Sequence, residues 1–491
     1  MRQRATGIMS QYELLRQRAS FDDSSFNDSY AEQGIDLRPR GRSWLSISAI
    51  LRNNSRKGRR KGLRPLLYLV CVILVLLFGQ VTFNASYTRP SPFEIPTNEN
   101  VYIAANIINP DLIKGHWGKS LAELVDLIGK DRVFVSIYGG PPAALALLDS
   151  TLSCNRSLVA QDADPIDLKE ITNVTLPSGE EKVRRIAYLA EVRNRALAPL
   201  AKSTTKFDKI LFINDVYFSP KDAARLLFGT NVKDGKADYK AACGADFVTS
   251  WKYYDTFATR DAEGYSMGLP IYPWFSGEGD AVSRRDVLAG SDAVRVKSCW
   301  GGIVAFDAKY FRQGSANAPV EEATSTDLQV APQPLRFRAE SEPFWEASEC
   351  CLIHADILSQ PDTRTPIDEH DTGIYMNPFV RVAYHSSSFR SLGFVKRFER
   401  LFALPQSIIN SYAYLPRFNS RRAEVAGELV KDIVWVANET EATINKIHGH
   451  FESRERMARI GGYCGTRQMQ VLKGGKLGVA ERNWEAILAP S

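Results

Sequence analysis

From Val101 onward, short unbroken apolar runs alternate with stretches of helical spacing. VYIAANI reads as a strand, and Leu121 to Ile128 as an amphipathic helix. RVFVSIY (132–138) is a second strand, closed by Gly139-Gly140. RRIAYLAEVRNRALAPL (184–200) has the apolar spacing of a helix and stops near Pro199. KILFI (209–213) is a strand, DAARLLF a helix, and ACGADFVTS another strand. A helix from about Trp345 to Leu358 and a strand in NPFVRVAYH follow. Strands separated by helices predict a mostly parallel sheet covered on both faces. Residues 313–333 are rich in Ala, Pro and Thr and read as a loop insertion. The last ninety or so residues read as helical and then Gly-rich.

Before Val101 the pattern is different. Leu66 to Phe83 carries no charge, and Arg56, Lys57, Arg59, Arg60, Lys61 and Arg64 precede it. A run of about eighteen apolar residues with basic residues on one side predicts a single span, with the N-terminus cytosolic and the remainder lumenal. It begins too far from Met1 for a cleaved signal peptide. Residues 1–64 read as a polar, disordered tail, in which Tyr12-Glu13-Leu14-Leu15 is a weak sorting pattern. Residues 84–99 hold three prolines and read as a stem. The expected organisation is therefore tail 1–64, span 65–83, stem 84–99, catalytic domain 100–402 and C-terminal extension 403–491.

Charge narrows the partners. The chain carries +6, but residues 1–64 hold fourteen Lys/Arg against six Asp/Glu, a net of +8 that leaves the rest at −2. The folded part lacks the basic face that nucleic-acid binding needs. Of seven cysteines, Cys71 falls in the span. Cys154, Cys243, Cys299, Cys350, Cys351 and Cys464 would meet an oxidising lumen, with their pairing open. Asn155, Asn173 and Asn438 begin sequons on that side, while Asn84 sits close to the membrane.

No P-loop, HExxH, GxSxG or CxxC pair occurs. The chemistry has to come from polar residues at strand ends, where open α/β sheets bind ligands. Asn214-Asp215 ends the KILFI strand, and a carboxylate there can hold a divalent metal against a diphosphate. The same pair also reads as an Asx cap for the helix begun by Pro220-Lys221-Asp222. Arg193-Asn194 lies on the preceding helix, and aspartates recur at Asp246, Asp255 and Asp261. Trp300 beside Gly301-Gly302 reads as a sugar-stacking platform, or equally as a core aromatic beside a turn. Glu349 starts a helix, where an acid is often only a partner of the dipole. His385 follows the strand VRVAY, where a packed or surface histidine is the commoner reading.

The stretches RIAYLAEVRNRALAPL, KILFINDVYF, ACGADF, YYDTFATRD, SCWGGIVAFDAKYF, FWEASECCLIHAD and MNPFVRVAYH together resemble the fungal capsule-associated alpha-1,3-mannosyltransferase family, over about Val101 to Phe402. The resemblance implies a GT-A-like, Rossmann-type mixed α/β sheet covered by helices, after an N-terminal transmembrane helix. It implies a type II Golgi membrane enzyme that transfers mannose from GDP-mannose to a mannose-containing glycan, with retention and Mn²⁺ or another divalent metal. The alternatives are a different nucleotide sugar, or a non-catalytic component of capsule or cell-wall assembly, with room for a complex with other glycosylation enzymes.

The resemblance also implies roles. Asp215 and His385 would hold the metal, with Asp215 and Glu349 catalytic. Arg193, Asn194, Asn214 and Asp246 would bind the donor, and Trp300, Gly301 and Gly302 the acceptor. Since Asn stands at position 214, Asp215 supplies the only charge of the Asp-x-Asp-like element. One turn departs from the pattern. Related chains follow the second strand with a Glu-Ser-Gly-Ser-x-Asp-like turn, whereas this chain has Gly139-Gly140-Pro141-Pro142-Ala143-Ala144.

Overall fold

A computed structural model describes residues 59–176, 179–312, 333–362, 364–437, 449–473 and 483–487. The N-terminal tail with its sorting pattern, nearly all of the 313–333 insertion and Asn438 lie outside the described residues.

The molecule is built on one ten-stranded sheet. Its principal strands are β1 (Val101–Ala105), β2 (Val133–Gly140), β3 (Asn155–Ala160), β4 (Lys209–Ile213), β5 (Ala241–Thr249), β6 (Val294–Ser298), β7 (Ile303–Asp307) and β8 (Ile374–Ala383). The order across the sheet is β6-β8-β5-β7-β4-β1-β2-β3, with Arg260–Asp261 beyond β6 and Lys252–Tyr253 paired to β5. β1 is parallel to both β2 and β4, and β2 to β3. β7 runs antiparallel between β4 and β5, β5 is parallel to β8, and β6 is antiparallel to β8. The sheet is therefore mixed, and only the β4-β1-β2-β3 half has the all-parallel character expected from the strand-helix alternation.

Side-chain alternation explains the unbroken apolar runs. In β1, Tyr102 and Ala104 enter one core layer, and Val101, Ile103 and Ala105 the other. In β4, Ile210 and Phe212 face the first layer, and Leu211 and Ile213 the second. A strand buried on both faces has no polar side to show. The helices are α1 (Arg59–Phe83), α2 (Pro110–Lys114), α3 (His116–Ile128), α4 (Pro142–Thr151), α5 (Arg185–Lys202), α6 (Pro220–Phe228), α7 (Val282–Ala289), α8 (Glu349–Ser359), α9 (Ser386–Val395) and α10 (Ala403–Tyr412). α3 buries Trp117, Leu121, Leu124, Val125 and Ile128, the i, i+3, i+4 stripe of its sequence, against the second layer. α5 buries Ile186, Leu189, Val192 and Ala196 against the first. α8 begins later than the expected Trp345, because Ser348 caps it by accepting from the Cys350 N–H.

The expected membrane anchor is corrected. α1 forms, and its side chains from Tyr68 to Phe78 are exposed. Yet among the described residues no helix is long and apolar enough to cross a membrane. The expected span counts through Gly79 and Gln80, but the unbroken apolar run Leu66–Phe78 is only about 20 Å of helix against a hydrocarbon core of about 30 Å. The single-pass Golgi placement and lumenal orientation built on that span fall with it.

The segments on either side of the sheet domain are packed onto it. In the expected stem, the Ser86 N–H donates to the Lys396 carbonyl at 3.0 Å, and the Tyr87 hydroxyl to the Val287 carbonyl at 3.0 Å. At the other end, Gly465–Thr466 pairs with Glu346–Ala347. Among the described residues beyond α10 there is only a short 3-10 turn, Gly462–Cys464, and no α-helix; Leu429–Ala437 and Gly449–Met457 pair antiparallel, matching the β-branched alternation of LVKDIVWVA. Disulfides join Cys243 to Cys299 and Cys351 to Cys464, while Cys154 and Cys350 are buried and take part in neither.

Candidate active site

Strand order locates the crevice. The chain moves outward from β1 through β2 to β3, then returns to place β4 on the opposite side of β1. The carboxyl ends of β1 and β4 thus flank the topological switch point, where open α/β sheets bind ligands. At the end of β1, Asn109 caps α2, its Oδ1 accepting from the Asp111 and Leu112 N–H groups at 3.0 and 3.1 Å. At the end of β4 stands Asn214-Asp215.

A pocket of about 230 Å³ opens between them, lined by Asn109, Asp111, Leu112, Asp215, Tyr217, Tyr384 and His385. Backbone pairing explains how residues so distant in sequence converge. Tyr217 donates its N–H to the Ala383 carbonyl at 2.7 Å, and Ala383 donates back at 3.2 Å. This short bridge draws the end of β8, with Tyr384 and His385, against the chain leaving β4. A larger concavity of about 800 Å³ runs along α10, lined by Leu404, Ser407, Ile408, Ser411, Tyr412 and Tyr414. It shares no residue with the switch-point pocket and holds no acid or base beyond two tyrosines, so the chemistry belongs to the smaller one.

The cap reading of Asn214-Asp215 is settled by α6, whose cap is Ser219: its Oγ accepts from the Asp222 N–H at 3.4 Å. Asn214 instead serves as a buried anchor. Its carbonyl accepts from the Trp117 indole at 2.9 Å, its Oδ1 from the Trp300 indole at 3.1 Å, and its N–H donates to the Gly302 carbonyl at 2.9 Å. A neutral amide suits a site where the donors are indoles and not cations, since an unpaired buried carboxylate is costly. Asp215, one residue on, lines the pocket together with Asp111.

The other expected residues fall into two groups. His385 lies in the pocket with Asp215. Arg193, Asn194, Asp246, Trp300 and Glu349 do not line it. Arg193 is buried and donates Nε to Glu349 Oε1 at 2.9 Å, with its guanidinium 4.1 Å over the Trp300 ring. Burial opposes its charge, but Cys350 and Glu349 outweigh that, so it holds its proton more tightly than usual. Glu349 is 3% exposed, withheld from solvent in this pair rather than presented to a substrate. Asn194 braces the neighbouring segment through reciprocal 2.9 Å bonds with the Phe337 backbone. Trp300 is 4% exposed with a face covered by Arg193, so its ring is a core aromatic and offers no open stacking surface. Gly301 and Gly302 have φ of 56° and 67°, and a Cβ on Gly301 would stand 2.0 Å from the Gly244 carbonyl oxygen. These glycines answer to backbone geometry and close packing.

Asp246, on β5, is 1% exposed and does not line the pocket. Its Oδ1 accepts from the Asp255 N–H at 3.1 Å and its Oδ2 from the Tyr384 hydroxyl at 3.0 Å. Burial, with the charge of Asp255 adding to it, pushes its carboxyl well above the usual range. The Tyr384 phenol is likewise raised, by burial first and then by Asp246, Tyr254 and Asp215. Asp261 is pushed up to about 7 by burial and sits in a turn, accepting from Glu263 and Tyr265 N–H groups away from the pocket. Of the sequons, Asn155 is exposed at the start of β3, and Asn173 is half-buried in a short strand.

Sequence reasoning missed Asn109, Asp111, Tyr217 and Tyr384. Asn109-Pro110-Asp111 carried a readable signal, a cap followed by proline at the end of the first strand. Tyr384 carried none beyond its place beside His385. At the departing turn, Gly139 has φ 105° and α4 starts at Pro142 without a side-chain cap, so the turn presents backbone in place of the acidic and hydroxyl side chains.

Together these features define a class: a doubly wound α/β protein whose carboxylate and imidazole meet at the switch-point crevice. The chain belongs to the family described as cryptococcal mannosyltransferase 1, whose model matches residues 100–356. It is 26% identical over 273 residues to the alpha-1,3-mannosyltransferase CMT1 of Cryptococcus neoformans, covering 50% of each chain. The chain thus spans about half the length of that relative. Among solved structures it is similar to glucosyl-3-phosphoglycerate synthase of Mycobacterium tuberculosis in complex with Mn²⁺, UDP and phosphoglyceric acid, with TM-score 0.30, 12% identity, and 75% of this chain and 95% of that one covered. It is also similar to a mannosyltransferase of Pyrobaculum calidifontis in complex with GDP-Man and Mn²⁺, with TM-score 0.30, 9% identity, and coverage of 71% and 87%. Likenesses at this level assign neither ligand nor role to this chain.

Proposed function

We propose that this chain is a glycosyltransferase of GT-A-like arrangement that transfers mannose from GDP-mannose to a mannose-containing glycan, forming an alpha-1,3 bond with retention. The observation that carries the reading is the meeting of Asp215 and His385 in one pocket at the switch point of a chain from a mannosyltransferase family.

Among the described residues no group of three or more His, Cys, Asp or Glu side chains could hold a metal. That excludes an all-protein cage there, but it fits an ion held by one or two protein groups and otherwise by substrate phosphates and water. Asp215 would supply the carboxylate and His385 the imidazole, with the exposed Asp111 on the same lining. When bound, such an ion takes up charge on the departing diphosphate. The pocket is smaller than the roughly 300–1,000 Å³ of sites that enclose a whole ligand, so it suits the diphosphate while nucleoside and sugar extend along the crevice.

The residues of the chain do the rest by placement. Asn214, pinned by two indoles, fixes Asp215, and the Tyr217–Ala383 bridge fixes His385 opposite it. Retention from an alpha donor to an alpha product requires no dedicated base, which agrees with the withdrawal of Glu349 into its ion pair. The Gly139–Pro142 turn is the feature that favours one alternative, a non-catalytic component of capsule or cell-wall assembly, because it offers backbone where related chains place polar side chains.

A hydrolysis screen of sugar nucleotides with Mn²⁺, then with chelator, tests the proposal. GDP-mannose should be consumed preferentially and only with metal. Preference for a uridine donor would select a different nucleotide sugar, and failure to bind or hydrolyse any sugar nucleotide would overturn the enzyme reading.

A further inference from the structure

Tyr384 belongs to no expected set of functional residues, yet it lines the pocket beside His385. Its ring stands edge-on to Tyr254 at 4.6 Å, and its hydroxyl donates inward to Asp246 Oδ2 at 3.0 Å. Asp246 Oδ1 takes the Asp255 N–H at 3.1 Å. The Asp255 carboxylate in turn accepts from the Trp300 N–H at 2.8 Å, the Gly301 N–H at 3.2 Å, the Ala258 N–H at 3.1 Å and the Thr259 hydroxyl at 3.0 Å. Trp300 then donates its indole to Asn214 Oδ1 at 3.1 Å.

Followed link by link, Tyr384, Asp246, Asp255, Trp300 and Asn214 form one chain of hydrogen bonds, buried at Asp246, Trp300 and Asn214 and half-buried at Tyr384 and Asp255. Its two ends are the two walls of the pocket: Tyr384-His385 on one side, Asn214-Asp215 on the other. Asp246, which cannot reach a donor from its buried place, acts on the pocket through the tyrosine. We propose that Tyr384 is a positioning residue, the terminal strut of a hydrogen-bonded chain that fixes the spacing of His385 and Asp215 across the donor pocket.

The physical case rests on how such a chain behaves. Buried hydrogen bonds in series polarise one another, and cutting one link releases both ends, so members lose function as a unit rather than additively. Misplacement of reacting groups by about 1 Å costs on the order of a hundredfold in rate, while ground-state binding is affected far less. A merely structural tyrosine would lower stability and leave the turnover of the folded enzyme alone.

The inference rests on the proposed reaction, and the experiment separates the two. Wild type, Tyr384→Phe, Asp246→Asn and the double variant are compared for GDP-mannose turnover, donor KM and melting midpoint. Tyr384→Phe keeps the ring on Tyr254 and removes only the hydroxyl. Its kcat should fall about tenfold or more with donor KM within about threefold, and a melting midpoint near that of wild type. Asp246→Asn should do the same, and the double variant should be no worse than the poorer single one. Wild-type kcat in Tyr384→Phe, or losses that multiply in the double variant, would overturn the strut. Should Asp246→Asn not fold, Tyr384→Phe alone decides. A wild-type protein inert toward every sugar nucleotide would overturn the site reading beneath it, before any variant is compared.

Discussion

Asp215 and Asn214 are neighbours with different work. Asn214 is engaged by indoles on its side chain and its carbonyl, while Asp215 turns to the pocket. Asn214→Ala should leave the Trp300 indole unsatisfied in the core and cost about 1–3 kcal/mol by chemical denaturation. Asn rather than Asp at position 214 suits this geometry, since the residue faces indole donors. Glu349 tests the opposite assignment. Glu349→Gln weakens the partner of the buried Arg193 and should destabilise by up to about 3–5 kcal/mol, the range for breaking a buried ion pair, while the folded fraction retains its turnover. A folded but inactive Glu349→Gln would restore that residue to the chemistry. The strand-end place of Asp215 was legible because a carboxylate follows a short apolar run. The Arg193–Glu349 pairing was not, since the partners are 156 residues apart and meet only through packing.

At the scale of elements, most strands and helices were legible because strands buried on both faces leave continuous apolar runs and helices leave stripes. The sheet order was not. Placing β7 antiparallel between β4 and β5 requires pairings such as Ile303 with Ile213 and Val304 with Cys243, which local pattern does not encode. The same limit applies to the pocket, whose far wall depends on the Tyr217–Ala383 bridge. α8 carries a pH dependence of its own. His354 is fully buried, with Nδ1 2.7 Å from the Cys350 carbonyl, and burial lowers its pKa to about 4. A base depressed in the fold stabilises fully above its unfolded value near 6.5, and that contribution is lost as pH falls from about 6.5 toward 4. Between pH 7 and 4.5 the wild type should lose roughly 2–3 kcal/mol more than His354→Leu in denaturant titrations. Parallel losses in the two proteins would remove His354 as the cause.

Across the whole molecule, described residues of the expected stem and C-terminal extension pack against the sheet domain. Arg260, buried beside the Asp255 turn, donates to the Tyr463 and Cys464 carbonyls at 2.9 and 2.7 Å. Cys351–Cys464 ties α8 to the same segment across 113 residues. Cys464→Ser should therefore cost about 2–5 kcal/mol and loosen the turn that holds Trp300 and Gly301. Sequence gave no hint of this docking, because a disulfide pairing among six candidates is set by the fold. The apolar run before Val101 was legible as a helix but not as a membrane span.

The central claim is that Asp215 in the switch-point pocket holds the diphosphate end of the donor through a divalent ion. Calorimetric titration of GDP into the protein, with Mn²⁺ and with chelator, in wild type and Asp215→Ala, tests it most directly. Binding that appears only with Mn²⁺ and weakens about a hundredfold or more in a folded Asp215→Ala is the expected result. Equal, metal-dependent binding by both proteins would contradict it.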